Sequence, residues 1–183
     1  MGPAMPGARA EAEAPASSGG GAGSPGPEEP ARAGSQARVR DLLLQLQDLQ
    51  AERSEAFGLL EQGHQAYLSS GPHYDFPRYR QLVHEVTKAF ASISREVLAI
   101  QKQLQDTHGR PDLAQHLACL QDQEHQRLEL TAALQLARQK AQEEPEAAAP
   151  REEVHELRQR IIKTMEVISE IVQDLKYDSE EAE

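Results

Sequence analysis

His116, Cys119 and His125 are the densest group of candidate metal ligands in the sequence. A zinc site needs thiolate and imidazole donors that converge on one point, and helical spacing decides whether these three can. At 100° per residue His116 and Cys119 share a helix face, whereas His125 lies nine residues beyond His116 and about 180° around. No CxxC or HxxxH pattern completes the set, so neither a metal nor any other cofactor is expected. Cys119 then reads as a small hydrophobe and the histidines as mostly surface polar groups. Carboxylates are abundant, at 30 Asp and Glu, yet none are spaced as an acid–base pair. Glu143-Glu144-Pro145-Glu146 and Glu180-Glu181-Ala182-Glu183 read as solvated acidic runs. No Gly-rich phosphate loop follows a strand, so no catalytic residue is assigned and the chain is not expected to be an enzyme.

The chemistry left to these residues is contact. Of seven Tyr and Phe side chains, four fall within residues 67–79, YLSSGPHYDFPRY. Tyr67 and Tyr79 lie on the apolar stripes of two successive helices, and Phe76 can staple the turn between them. Gly71 is expected to cap the first helix, with Pro72 ending it, and Pro77 to take the first position of the next behind Asp75. Tyr74 has no stripe position and lies in the loop near Arg78 and Arg80. Tyrosine and arginine held on a rigid loop are the composition of an interaction hot spot, so Tyr74, Phe76, Arg78, Tyr79 and Arg80 form the candidate interaction loop. Arg53 interrupts the first apolar stripe, and Glu124 with Arg127 interrupts the third. Arg53 and Glu124 are expected to pair as a polar layer that fixes helix register.

Four elements must position these residues. Residues 1–37 contain no Leu, Ile, Phe, Tyr or Trp and read as a disordered Ala/Gly/Pro-rich leader. From residue 38 apolar side chains recur three and four apart, which is a helical period. The expected helices are 38–69, 77–107, 111–141 and 151–177, with Gly109 as a left-handed cap before Pro111 and PEAAAP (145–150) as a linker. Residues 179–183 form an acidic tail. The fold class is all-α: an antiparallel four-helix bundle over 38–178, with two helical hairpins that dimerise as the alternative.

Charge narrows the partners. The net charge of −11 is spread as −2 over residues 1–37, zero over 38–110 and −9 over 111–183. An acidic C-terminal half repels phosphate. A DNA-binding face built from Arg78, Arg80, Lys88 and Arg95 would also be loose, since Arg80 and Lys88 point about 80° apart. Direct nucleic-acid binding is therefore disfavoured against protein partners, a homodimer among them. One cysteine, no signal peptide and no run of 18 apolar residues fit a soluble chain in the nucleus, the cytoplasm or both, with no membrane role.

Several stretches are familiar as a set. LQAER from Leu49, Ala56-Phe57, Leu60-Glu61, Gly63-His64, the turn Gly71-Pro72-His73-Tyr74-Asp75-Phe76-Pro77-Arg78-Tyr79, and Val83-His84-Glu85-Val86-Thr87 resemble the Required for excision 1-B domain family. Asp174-Leu175-Lys176-Tyr177-Asp178 is similar to that family's ending. The resemblance spans 39–178, and its specific motifs lie mostly in 49–97. It implies an association with excision-type DNA repair and carries over no catalytic residues. The expectation is a non-enzymatic helical adaptor; a coiled-coil subunit of a cytoplasmic assembly unrelated to repair is the alternative.

Overall fold

The computed structural model describes residues 28–181, and these form four helices with no strand among them. They are α1 (Glu28–Ser69), α2 (Phe76–Lys102), α3 (Pro111–Glu143) and α4 (Ala148–Glu181); α2 runs on through a π turn, Gln103–Thr107. Successive helices are antiparallel. Ser35 near the start of α1 meets His108 at the α2–α3 turn, Oγ to Nδ1 2.8 Å. Gln142 near the end of α3 donates to the Leu68 carbonyl near the end of α1, at 2.8 Å.

Why these stretches are helical follows from their buried positions. On α2 the inward side chains are Tyr79, Val83, Val86, Phe90, Ile93 and Val97, then Ile100 and Leu104, in alternating steps of four and three. Leu157, Ile161, Thr164, Ile168, Ile171 and Leu175 do the same on α4. That spacing holds one narrow face toward a neighbouring helix. Thr131 and Thr164 occupy buried positions because each hydroxyl donates to the carbonyl four residues back, at 2.7 and 2.9 Å.

Three apolar clusters fill the interior. The largest takes residues from all four helices, among them Leu46, Val97, Leu117 and Ile168. Toward the α1–α2 loop the core divides. Ala56, Phe57, Leu60, Val86 and Phe90 close one cluster between α1 and α2, and Leu130, Leu134, Ala137 and Leu157 close another between α3 and α4. The molecule is thus a four-helix core at one pole and two joined hairpins at the other.

Several boundaries differ from the sequence expectation. Of the expected leader, residues 1–27 lie outside the described residues, while 28–37 are the first turns of α1. Their Ala, Glu, Arg and Gln content favours helix over the drag of Gly34, and the Ser35–His108 contact ties them down. Ala148, Ala149 and Pro150, expected in a linker, open α4 instead, because a proline in a first turn gives up a donor that has no partner there anyway. At its far end α4 continues past Tyr177 to Glu181, so residues 179–181 of the expected tail are helical and 182–183 lie outside the described residues. Asp178 anchors this turn: its carboxylate meets His116 Nε2 at 2.8 Å, and its carbonyl accepts from Arg110 at 3.4 Å.

Gly109 adopts φ 60°, and the Arg110 amide bonds the Leu104 carbonyl at 2.8 Å, the expected left-handed ending widened by the π turn. Gly71 is different. Its φ is not positive, and a Cβ there would stand 3.1 Å from the Tyr74 ring, so glycine is present for close approach. The end of α1 is closed by Ser70, whose hydroxyl donates to Tyr67 O at 2.6 Å and accepts from the Asp75 amide at 3.0 Å.

Candidate interaction site

The α1–α2 turn is held by its own backbone chemistry. Asp75 caps α2 by accepting from the Arg78 amide at 3.3 Å, which places Phe76 at the helix start and Pro77 inside the first turn. On this frame the rings sort into two groups. Tyr67 stacks on Tyr79 with centroids 4.8 Å apart and packs against Tyr74 at 5.1 Å. Tyr79 is half-buried, and its hydroxyl donates to Gln135 Oε1 at 2.5 Å, so α3 holds it from the far side. Burial and the neighbouring Tyr67 push the Tyr79 phenol up to about 12, and it stays a neutral donor. Tyr74 is half-buried too, and its hydroxyl accepts from Gln142 Nε2 at 3.2 Å.

Of the five residues assigned to the interaction loop, Tyr74 and Tyr79 therefore face inward. Phe76, Arg78 and Arg80 remain exposed. Phe76 keeps 37% of its surface in water and touches Tyr67 edge-on at 6.5 Å. With Pro77, Arg80, Gln81 and His84 it lines a shallow recess on the outer face of α2. An apolar floor with a guanidinium and an imidazole beside it can take an apolar side chain and an adjoining carboxylate.

Behind the rings lies a histidine, a residue type expected mostly at the surface. His64 is only 2% exposed, between Tyr67 and Tyr79, and its Nδ1 has no hydrogen-bond partner. Burial first, then the nearby Arg138 guanidinium, pulls the imidazole down to about 4, so it is neutral at physiological pH. Arg138 in turn bonds Glu61 at 2.6 Å, linking α3 to α1. The signal was there to read: His64 lies four after Leu60 and three before Tyr67, on the stripe.

The polar layer forms, but by different bonds. Arg53 and Glu124 are 2% and 6% exposed and lie in one layer. No direct bond joins them. Arg53 donates to Gln50 Oε1 and Gln121 Oε1, each at 2.8 Å, and Gln50 Nε2 donates to Glu124 Oε1 at 3.2 Å. Two glutamines, which pattern reading passes over as surface polar groups, relay the charge. Arg127 lies 3.9 Å over the Phe57 ring, with its nitrogen 3.8 Å from Glu124 Oε2. Burial lowers the pKa of both arginines, while the Glu124 charge opposes the shift.

The trio considered for a metal faces three ways. His116 meets Asp178, His125 meets Glu129 of its own helix at 2.9 Å, and Cys119, exposed where a packed hydrophobe was expected, accepts from Gln115 at 3.8 Å. Among the described residues no helix is long and apolar enough to cross a membrane.

Comparison with known proteins gives a consistent result. The model of a family described as DNA repair REX1-B matches residues 41–138, which include the turn, His64 and the polar layer but not α4. A Required for excision 1-B domain-containing protein of Bos taurus is 49% identical over 149 residues, 80% of this chain and 80% of that protein. One of Mus musculus is 45% identical over 158 residues, 86% of this chain and 91% of that protein. No solved structure matches the chain.

Proposed function

The chain belongs to the DNA repair REX1-B family, and from that premise we propose that it serves repair as a non-enzymatic adaptor that binds another protein through its α1–α2 turn. The observation that carries this reading is the sorting of the rings: Tyr67, Tyr74 and Tyr79 pack inward to stiffen the turn, while Phe76 stays in solvent beside Arg80 and His84. Rigid support beneath an exposed aromatic and a guanidinium limits the ordering entropy that binding must overcome. The partner surface it fits is an apolar side chain followed by a carboxylate. A nuclear place of action accords with the family, and the acidic charge of residues 111–183 favours protein over DNA as the direct contact.

The test uses cells lacking the protein and measures removal of ultraviolet lesions from DNA. The wild-type chain is expected to restore removal, and Phe76→Ser with Arg80→Glu is expected not to, at an unchanged helical melt. Restoration by the double variant would take the turn out of this reading.

A further inference from the structure

A second surface, mostly on α4, which lies outside the family match, is organised differently from the rest of the molecule. α1 and α4 leave a groove of about 670 Å³ between them, with Leu43, Leu44 and Leu46 on one wall and Val172 and Leu175 on the other. Leu44 is 58% exposed there. Farther back along α4 on the same side, Met165 and Ile162, about two and three turns before Val172, are 42% and 49% exposed.

The charges around this strip are sorted. At 100° per residue Arg151, His155 and Arg158 lie on the face of Ile162 and Met165, Ser169 lies at its middle, and Lys176 lies beyond Val172. These positions fall within an arc of about 100°, and the strip is about 38 Å long. No carboxylate occupies it before Glu180, which closes the far end of the groove. The carboxylates of the same stretch, Glu152, Glu153, Glu156, Glu166, Glu170 and Asp174, lie outside it, with Arg160 and Lys163 among them. In a half-molecule of charge −9, a carboxylate-free strip with cations at both ends and apolar side chains between them is a specific arrangement.

We propose that the α1–α4 groove and the α4 strip leading from it receive an amphipathic helix of a protein partner, its apolar edge on Leu44, Val172, Met165 and Ile162 and its flanks acidic. The groove runs along two helices, the geometry of helix-in-groove recognition. Charge selects the occupant. A second copy related by a two-fold axis perpendicular to α4 would bring Arg151 and Arg158 of one molecule against Lys176 of the other, cation against cation. Duplex DNA would meet apolar side chains at the centre of the strip and carboxylates beside it. An acidic helix satisfies both the apolar centre and the basic ends.

This inference rests on the reading of the chain as a protein-binding module but uses a surface remote from the turn, so its failure leaves the Phe76 and Arg80 test untouched. The probes are two fluorescent amphipathic peptides of about 21 residues sharing one leucine seam, one flanked by Glu and the other by Lys, titrated with the full chain by anisotropy. The Glu peptide is expected to bind, more tightly at low salt, and to lose about tenfold or more when Ile162→Ser and Met165→Ser are combined. Both residues are exposed, so the melt should hold. Arg158→Glu with Lys176→Glu should reverse the preference toward the Lys peptide. No binding of the Glu peptide at about 100 μM, equal binding of both peptides, or binding indifferent to the serine pair would each overturn the proposal. So would micromolar self-association that the serine pair dissolves, or displacement of the peptide by a short duplex.

Discussion

Protonating His64 would put a charge among tyrosine rings and beside a guanidinium, which the Glu61 carboxylate only partly offsets. Its folded pKa, about 4, lies below the unfolded value of 6.5, so on acidification the unfolded chain takes up the proton first. The stability His64 contributes is therefore complete above pH 6.5 and is lost as pH falls toward 4. Chemical denaturation at pH 7 and pH 5 should show roughly 2 kcal/mol of this loss, and His64→Phe should remove that part of the pH dependence. Arg53 makes a second prediction. Arg53→Met strands two half-buried glutamine oxygens and leaves the buried Glu124 carboxylate without its nearby cation, and should cost about 2–4 kcal/mol. A double-mutant cycle with Glu124→Gln should give a coupling of about 1 kcal/mol despite the absence of a direct bond, because Gln50 carries it. A near-zero coupling would show that the relay does not transmit. At this scale the sequence disclosed that Arg53 and Glu124 sit inside, since both interrupt apolar stripes. It did not disclose Gln50, Gln121 or Gln135, because a glutamine beside a stripe has the same spacing whether it faces water or a buried partner.

Two glycines in α1 separate spacing from fit. A Cβ on Gly63 would fall 1.8 Å from Leu82 Cδ2, so this glycine admits the first turns of α2, whereas Gly58 has nothing within 4 Å. Gly63→Ala should destabilise by about 1–3 kcal/mol through overpacking, with partial recovery on adding Leu82→Ala. Gly58→Ala should stabilise by up to about 1 kcal/mol, as a helix former replaces a flexible residue in open space. Thermal melts of the three variants check both signs. Seen only as letters, the two glycines are equal weak points; the partner helix makes them opposite. The helices themselves were legible because apolar residues three and four apart leave little alternative. Their ends were less so: Ser35 and Asp178 extend α1 and α4 through contacts with residues about 60 to 70 positions away, which no local pattern encodes.

At the scale of the molecule the apolar interior is continuous across four helices only at the pole that holds Leu46, Val97, Leu117 and Ile168. At the other pole α4 rests on α3 alone, through Leu157, Val154 and Ile161. Amide exchange should therefore be faster in α4 before residue 162 than after residue 168, by local opening that leaves the rest folded. Uniform protection along α4 would contradict this. The stripes predicted four amphipathic helices and short turns, hence antiparallel neighbours. They did not predict that the apolar core would divide between the pairs α1–α2 and α3–α4 at one end, where polar bonds such as Tyr79–Gln135 and Glu61–Arg138 join them, since each stripe is compatible with either arrangement. The same topology brings the first turns of α1 and the last turns of α4 to one pole, beside each other and pointing the same way. A molecule tethered by its two ends in an optical trap would thus be loaded like a zip rather than a lap joint, with α4 peeling from α3 and α1 from α2 one turn at a time and yielding at low force.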